Sequence, residues 1–329
     1  MATTKPILYF SRSDNFNEFS NFYASPIGLL GQPFATVEAA YQYCKAIFLN
    51  DTKAAAAILQ ISDNPITCKQ IGNELNAHKD IKKFHLIRKH IMYVLLLLKF
   101  GDGVLQHRLL STGNQLLGEK SDDWFWGVNG LNMHAQILMK VRSYYQMSVK
   151  PPKRSVLLGD SIIRFVKSSL FDTLSVPGAR TGAVLFLCEL FAESPIVDTV
   201  IVSVGTNDIC PKIGSGRWEE RGHAGKALAE HVFERCLKLQ VRCSSTKFVF
   251  LSILRRPNDK TAYKLRNRQR YNEIMKYGVN KLESSRLQFV TLDDDSFPDT
   301  LFSCDKVHLN NSGTKKLCAV IEQAVFHAQ

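Results

Sequence analysis

The sequence predicts two domains of different class: a helix-rich α+β domain over residues 1–147 and a three-layer α/β/α domain on a parallel sheet over residues 155–329. Three observations carry this. The chain has 329 residues, 45% of them hydrophobic, which is enough for two buried cores. The stretch "MSVKPPKRS" sets a Pro-Pro pair among basic residues just after a helical pattern, which marks residues 148–154 as a stiff linker. Helical periodicity dominates before this linker, and strand and helix patterns alternate after it.

The elements follow in order. "ILYFS" and "GLLGQPFA" read as short strands or loops. Thr36 is placed to cap a helix over Val37–Leu49, and further helices are expected at Asp51–Gln60, Pro65–Asn73, Phe84–Phe100 and Met133–Tyr145. Past the linker, "SVLL", "TVIVSV", "KFVFLSI" and "LQFVTL" have strand composition, with helical stretches between them. Alternation of this kind builds a parallel sheet covered on both faces.

Composition narrows the setting. Lys and Arg number 42 against 30 Asp and Glu, a net charge of +12. Arg255, Arg256, Lys260, Lys264, Arg266, Arg268 and Arg270 form one dense basic stretch, read either as a solvated helix face or as a contact for nucleic acid. The eight cysteines show no CxxC pair or zinc-like spacing and lie mostly among apolar residues. Buried free thiols in a reducing compartment are expected, so an intracellular protein, cytoplasmic or nuclear. "MATTKPILYF" lacks a signal core, and Ile91–Leu98 is too short to span a bilayer, so no membrane partner is expected. No Asp/Glu/His grouping has metal-ligand spacing, and neither a metal nor an organic cofactor is expected.

"SVLLGDSIIRF" runs a strand into Gly-Asp-Ser, which places Ser161 at the carboxyl edge where open α/β sheets hold their sites. "SVGTNDI" puts Asn207 at the same edge, and "CDKVHLNNSG" sets Asp305 three residues before His308. These segments resemble the GDSL/SGNH hydrolase family over most of residues 154–329. The resemblance implies a flavodoxin-like sheet, a Ser161 nucleophile, a His308 base and an Asp305 that orients the imidazole. It also implies an oxyanion hole from the backbone N–H groups of Ser161 and Gly178 with the Asn207 amide. The substrate would be an acyl ester. The loop after Asn207, reaching Trp218, would wall a modest pocket.

In the first half, Val37, Ala40, Tyr41, Cys44 and Phe48 form an apolar stripe at helical spacing, while Glu38, Gln42 and Lys45 share a second face. "FSNFYASPIGLLGQPFATVEAAYQYCKA" resembles the opening motif of the NADAR (YbiA-like) family. "LLLLKF", "LLSTGNQLLGEKSDDWFWG" and "GLNMHAQILMKVR" extend the resemblance over roughly residues 8–145. It implies cleavage of an N-glycosidic bond in an ADP-ribosyl or ribosyl-phosphate substrate, free or within modified nucleic acid. Glu38 and Asp123 are then the carboxylate candidates, since such cleavage builds positive charge at the anomeric carbon and needs an acid for the leaving base. Lys45 would hold a phosphate or form a Schiff base with the opened ribose. Ser20, Asn21, Phe22, Gln42 and Trp126 would wall the pocket.

The reading is a bifunctional hydrolase, an N-glycosidase joined to an ester hydrolase. The competing classes are a non-catalytic protein that holds ADP-ribose or nucleic acid, and a mobile-element-associated protein in which only the esterase domain turns over.

Overall fold

The computed structural model describes residues 7–13, 15–101, 103–146, 154–194, 196–209, 224–259, 261–292 and 295–327. The chain divides into two compact units, Met1–Pro152 and Lys153–Gln329. Most of the expected linker, and all of the loop that carries Trp218, lie outside the described residues.

The first unit opens with β1 (Ile7–Phe10), then a hairpin of β2 (Ala24–Leu29) and β3 (Gln32–Thr36). Helices α1 (Val37–Phe48), α2 (Thr52–Gln60), α3 (Pro65–Glu74), α4 (Ile81–Lys99) and α5 (Gly103–Leu110) follow. Strand β4 (Leu116–Glu119) and helix α6 (Met133–Gln146) complete the unit. β4 pairs in parallel with β1, with Phe10 opposite Glu119. Local chemistry explains several starts. Thr36 Oγ1 accepts from the Ala39 N–H at 3.2 Å, and the Asp51 and Asn64 side chains cap α2 and α3 in the same way. Every residue of α1 from Val37 to Ala46 is buried, Glu38, Gln42 and Lys45 among them. A helix covered on all sides normally carries no charge, so this polar face must turn to an internal space.

The second unit contains β5 (Arg154–Gly159), β6 (Phe171–Ser175), β7 (Val197–Ser203), β8 (Lys247–Leu251) and β9 (Leu287–Val290). They form one parallel sheet in the order β6-β5-β7-β8-β9. Helices α7 (Thr181–Ala192), α8 (Thr206–Ile209), α9 (Ala224–Arg242), α10 (Ala262–Lys281) and α11 (Asn311–Phe326) connect and follow the strands. Leu157, Ile201 and Val249 lie side by side across β5, β7 and β8, and Leu317 and Ile321 of α11 pack into the same fully buried cluster. The chain leaves β5 toward β6 on one side and returns to β7 on the other. That reversal opens a crevice at the carboxyl ends of β5 and β7, where sites form in such sheets. No helix among the described residues is long and apolar enough to cross a membrane.

Candidate active sites

In the first unit the buried polar face of α1 borders a cavity of about 290 Å³. Asn21, Phe22, Glu38, Gln42, Lys45, Asp123 and Trp126, all singled out in the sequence, line it. Ser20 does not line it. Its Oγ accepts from the Phe22 N–H at 3.2 Å, and its carbonyl accepts from Lys99 Nζ at 2.7 Å, so it shapes the loop rather than the wall. Serine in a turn commonly bonds its own backbone two residues on, and that local use wins here.

Gln42 Nε2 donates to Glu38 Oε1 at 2.8 Å, one helical turn away. Burial pushes the Glu38 carboxyl above the usual carboxylate range, outweighing the Gln42 hydrogen bond and the Lys69 charge, which act the other way. Room for Gln42 comes from Gly72, where a Cβ would fall 1.8 Å from Gln42 Oε1. Lys45 Nζ donates to the Gly72 carbonyl at 2.7 Å and to Asn76 Oδ1 at 2.6 Å. Burial lowers its pKa to about 8. Asp123 is exposed, and its Oδ1 accepts from the N–H groups of Phe125 and Trp126 at 2.8 and 3.0 Å, so this carboxylate also ties the loop that presents Trp126. Trp126 meets Tyr41 edge-on at 5.7 Å. Lys69, Arg88 and Glu119, none of which the sequence marked as site residues, complete the charged lining. They arrive from α3, α4 and β4, and only packing brings these elements together.

In the second unit, Ser161 Oγ lies 3.0 Å from His308 Nε2, and His308 Nδ1 lies 2.6 Å from Asp305 Oδ2. The other Asp305 oxygen accepts from the N–H groups of Val307 and His308 at 2.9 and 3.0 Å. The hydrogen bonds from His308 and these backbone donors hold the Asp305 carboxyl well below the usual carboxylate range. Lys306, at φ +53°, makes the tight turn, and Ser303 closes the loop through its N–H and Oγ to the His308 carbonyl. Ser161 begins a short turn after β5, and Asp160 caps that turn by accepting from the Ile162 N–H at 2.9 Å.

Asn207, just past β7, donates its amide to the Ala179 carbonyl at 2.9 Å. One residue on, Asp208 Oδ2 accepts from the N–H and Oγ1 of Thr181 at 3.0 and 2.8 Å. The Asn-Asp pair therefore clamps residues 179–181, which follow Gly178, itself at φ +76°. Asp208 had no role in the sequence reading, because its partner is far away along the chain.

The basic stretch is paired in part inside its own unit, while Arg266 stays exposed. Arg256 and Arg268 are buried, and Arg256 pairs with Asp259. Lys264 also reaches Asp259, Arg255 pairs with Asp299 and Arg270 with Glu273, while Lys260 lies outside the described residues. Among the described residues, no group of three or more His, Cys, Asp or Glu is gathered as for a metal ion.

Comparison with known proteins follows the same division. The NADAR domain family matches residues 9–145. The chain is 30% identical over 143 residues to the N-glycosidase YbiA of Shigella flexneri, across 41% of this chain and 86% of that protein. The solved structure of the Escherichia coli protein YbiA aligns with a TM-score of 0.38 at 26% identity, covering 44% of this chain and 88% of that one. A GDSL-like lipase from Bacteroides thetaiotaomicron aligns with a TM-score of 0.39 at 18% identity, covering 55% and 92%. The molecule is a hydrolase with two domains. By its match to YbiA, the chain belongs to the NADAR family.

Proposed function

We propose that the protein carries two hydrolytic sites, one in each unit. The first cleaves an N-glycosidic bond of an ADP-ribosyl or ribosyl-phosphate substrate, of which ADP-ribosylated guanine is an example. The second is an SGNH-type esterase, and we read its unit as a three-layer α/β/α fold, supported by α7 packing on β5 and β7 while α11 joins the Leu157 cluster.

For the second site, the continuous Ser161–His308–Asp305 hydrogen-bond chain carries the reading. His308 Nε2 takes the hydroxyl proton as Ser161 Oγ attacks the ester carbonyl, and ionised Asp305 stabilises the imidazolium. The oxyanion is assigned to the backbone N–H groups of Ser161 and Gly178 and to the second proton of the Asn207 amide, whose first goes to the Ala179 carbonyl. Removing one such donor typically costs about 3 kcal/mol. His308 then returns the proton to the leaving alcohol, and water repeats the cycle on the acyl-enzyme. Ser161→Ala is expected to lower turnover of short acyl esters by at least about 1,000-fold, and His308→Ala by nearly as much, since triad members act as a unit. Wild-type turnover in the serine variant contradicts the assignment.

For the first site, the buried Glu38–Gln42 pair in a cavity edged by Lys45, Lys69 and Arg88 carries the reading. A carboxyl whose pKa burial raises can give its proton to the departing base as the C–N bond breaks, and water then adds to the anomeric carbon. The cations suit the phosphate, and Trp126 offers a face or edge to the base. Glu38→Gln keeps the shape and is expected to bind ADP-ribose while losing base release from ADP-ribosylated guanosine. Release at the wild-type rate in that variant removes Glu38 from the reaction. The described thiols are mostly buried and suit a reducing compartment, so we place the protein inside the cell, cytoplasmic or nuclear.

A further inference from the structure

Three buried acceptors on residues lining the first unit's cavity have no donor; Gln42 Oε1 is turned against Gly72, and the other two are not used by the reaction above. Asn21 is buried, and its Oδ1 has no hydrogen-bond partner. Glu119 Oε2 is likewise enclosed and unpartnered, and both residues line the cavity. An acceptor withdrawn from water without a donor weakens the fold, so each calls for a reason.

Glu119 is fixed in place from three directions. Its N–H donates to Asn132 Oδ1 at 3.2 Å, and its carbonyl accepts from the Val128 N–H at 2.8 Å. Asn132, at φ +51°, also donates its amide to the Leu117 carbonyl at 2.9 Å, which locks the loop after β4 back onto the strand. Behind the carboxylate stands His134, fully buried against Phe10, with Nδ1 3.1 Å from Glu119 Oε1. That approach is not aligned as a hydrogen bond, and Oε2 takes no part in it.

We propose that Asn21 Oδ1 and Glu119 Oε2 accept hydrogen bonds from the hydroxyls of a ribose, which makes the first unit selective for ribosides over 2-deoxyribosides. The inference rests on the N-riboside reading above and names the sugar that site takes. Two enclosed acceptors require two donors. Phosphate and carbonyl groups bring only acceptors and would meet Glu119 with repulsion, whereas a vicinal diol brings two O–H groups side by side. A carboxylate is a common acceptor for ribose hydroxyls in nucleotide sites. Lys69 and Arg88 in the same lining leave room for a phosphate on the same sugar. Discrimination follows because a ligand without the hydroxyl leaves a buried acceptor unpaired, a strong basis for rejection.

The test is calorimetric titration of the full chain with ribose 5-phosphate and with 2-deoxyribose 5-phosphate. Neither ligand carries a base, so amino groups of a base cannot supply the donors. Ribose 5-phosphate is expected to bind at least about tenfold more tightly. Glu119→Gln, shown to be folded by its thermal transition, is expected to lose most of that preference. Equal affinity of the wild type for both sugars overturns the hydroxyl assignment and leaves the ribosyl-phosphate reading standing. Binding of neither sugar phosphate, nor of ADP-ribose, overturns both. The wild-type ratio decides the matter even if the variant does not fold.

Discussion

Lys45 shows how one residue acquires chemistry from its surroundings. Its amine is buried, held by the Gly72 carbonyl and Asn76 Oδ1, and its pKa falls to about 8. An amine titrating there supplies a useful neutral fraction near physiological pH, as an imine-forming nucleophile needs. Borohydride added during turnover is expected to trap a covalent adduct on wild-type protein, with a yield that rises as the pH passes about 8, and Lys45→Ala is expected to give none. No adduct at any pH across that range assigns the amine to phosphate contact alone. Glu38, Gln42 and Lys45 were legible in the sequence because helical spacing put them on one face, and the burial of that face was not. The Ser161, Asp305 and His308 positions were legible as short motifs, since each sits in a turn whose own backbone fixes it. Glu119, Lys69, Arg88 and Asp208 were not, because each gains its meaning from a partner on another element.

Elements were read well where an apolar pattern was long, and poorly where it was short. Helix α4 begins at Ile81 rather than Phe84, and the four strands read beyond the linker all appear in the sheet. Strand β6, "FDTLS", passed unread because two of its five residues are polar and a third is charged, and only its edge position beside β5 makes it a strand. Strand β4 exists through its pairing with β1, which no local signal announces. The packing of α9 on α10 depends on Gly225, where a Cβ would lie 2.0 Å from the Asn267 carbonyl oxygen. Backbone cannot yield as a flexible side chain does, so Gly225→Ala is expected to destabilise the second unit by about 1–3 kcal/mol. Chemical denaturation followed by circular dichroism measures this, and an unchanged midpoint contradicts the close packing. Gly72→Ala meets only the end of Gln42, and is expected to cost less stability while displacing the amide that holds Glu38.

At the scale of the whole molecule, the chain divides into two compact units, and each is open to its own test. In the first, Lys99 is fully buried, and burial lowers its pKa to about 7 from an ordinary 10.5. Between those values the unfolded chain binds the proton that the folded unit has released. The stability of this unit should therefore rise with pH from about 7 upward, and the cost of burying the ammonium is complete below that value. Thermal midpoints of the wild type are expected to climb over this range more steeply than those of Lys99→Met, which has no proton to lose. Parallel curves contradict the burial argument. The catalytic claim is tested most directly by one crossed assay on the full chain, measuring short-acyl-ester hydrolysis and base release from ADP-ribosylated guanosine for the wild type, Ser161→Ala and Glu38→Gln. The account predicts that the serine variant loses ester hydrolysis alone and the glutamate variant loses base release alone. Loss of both activities in either variant, or wild-type ester turnover without Ser161, would contradict two separate sites.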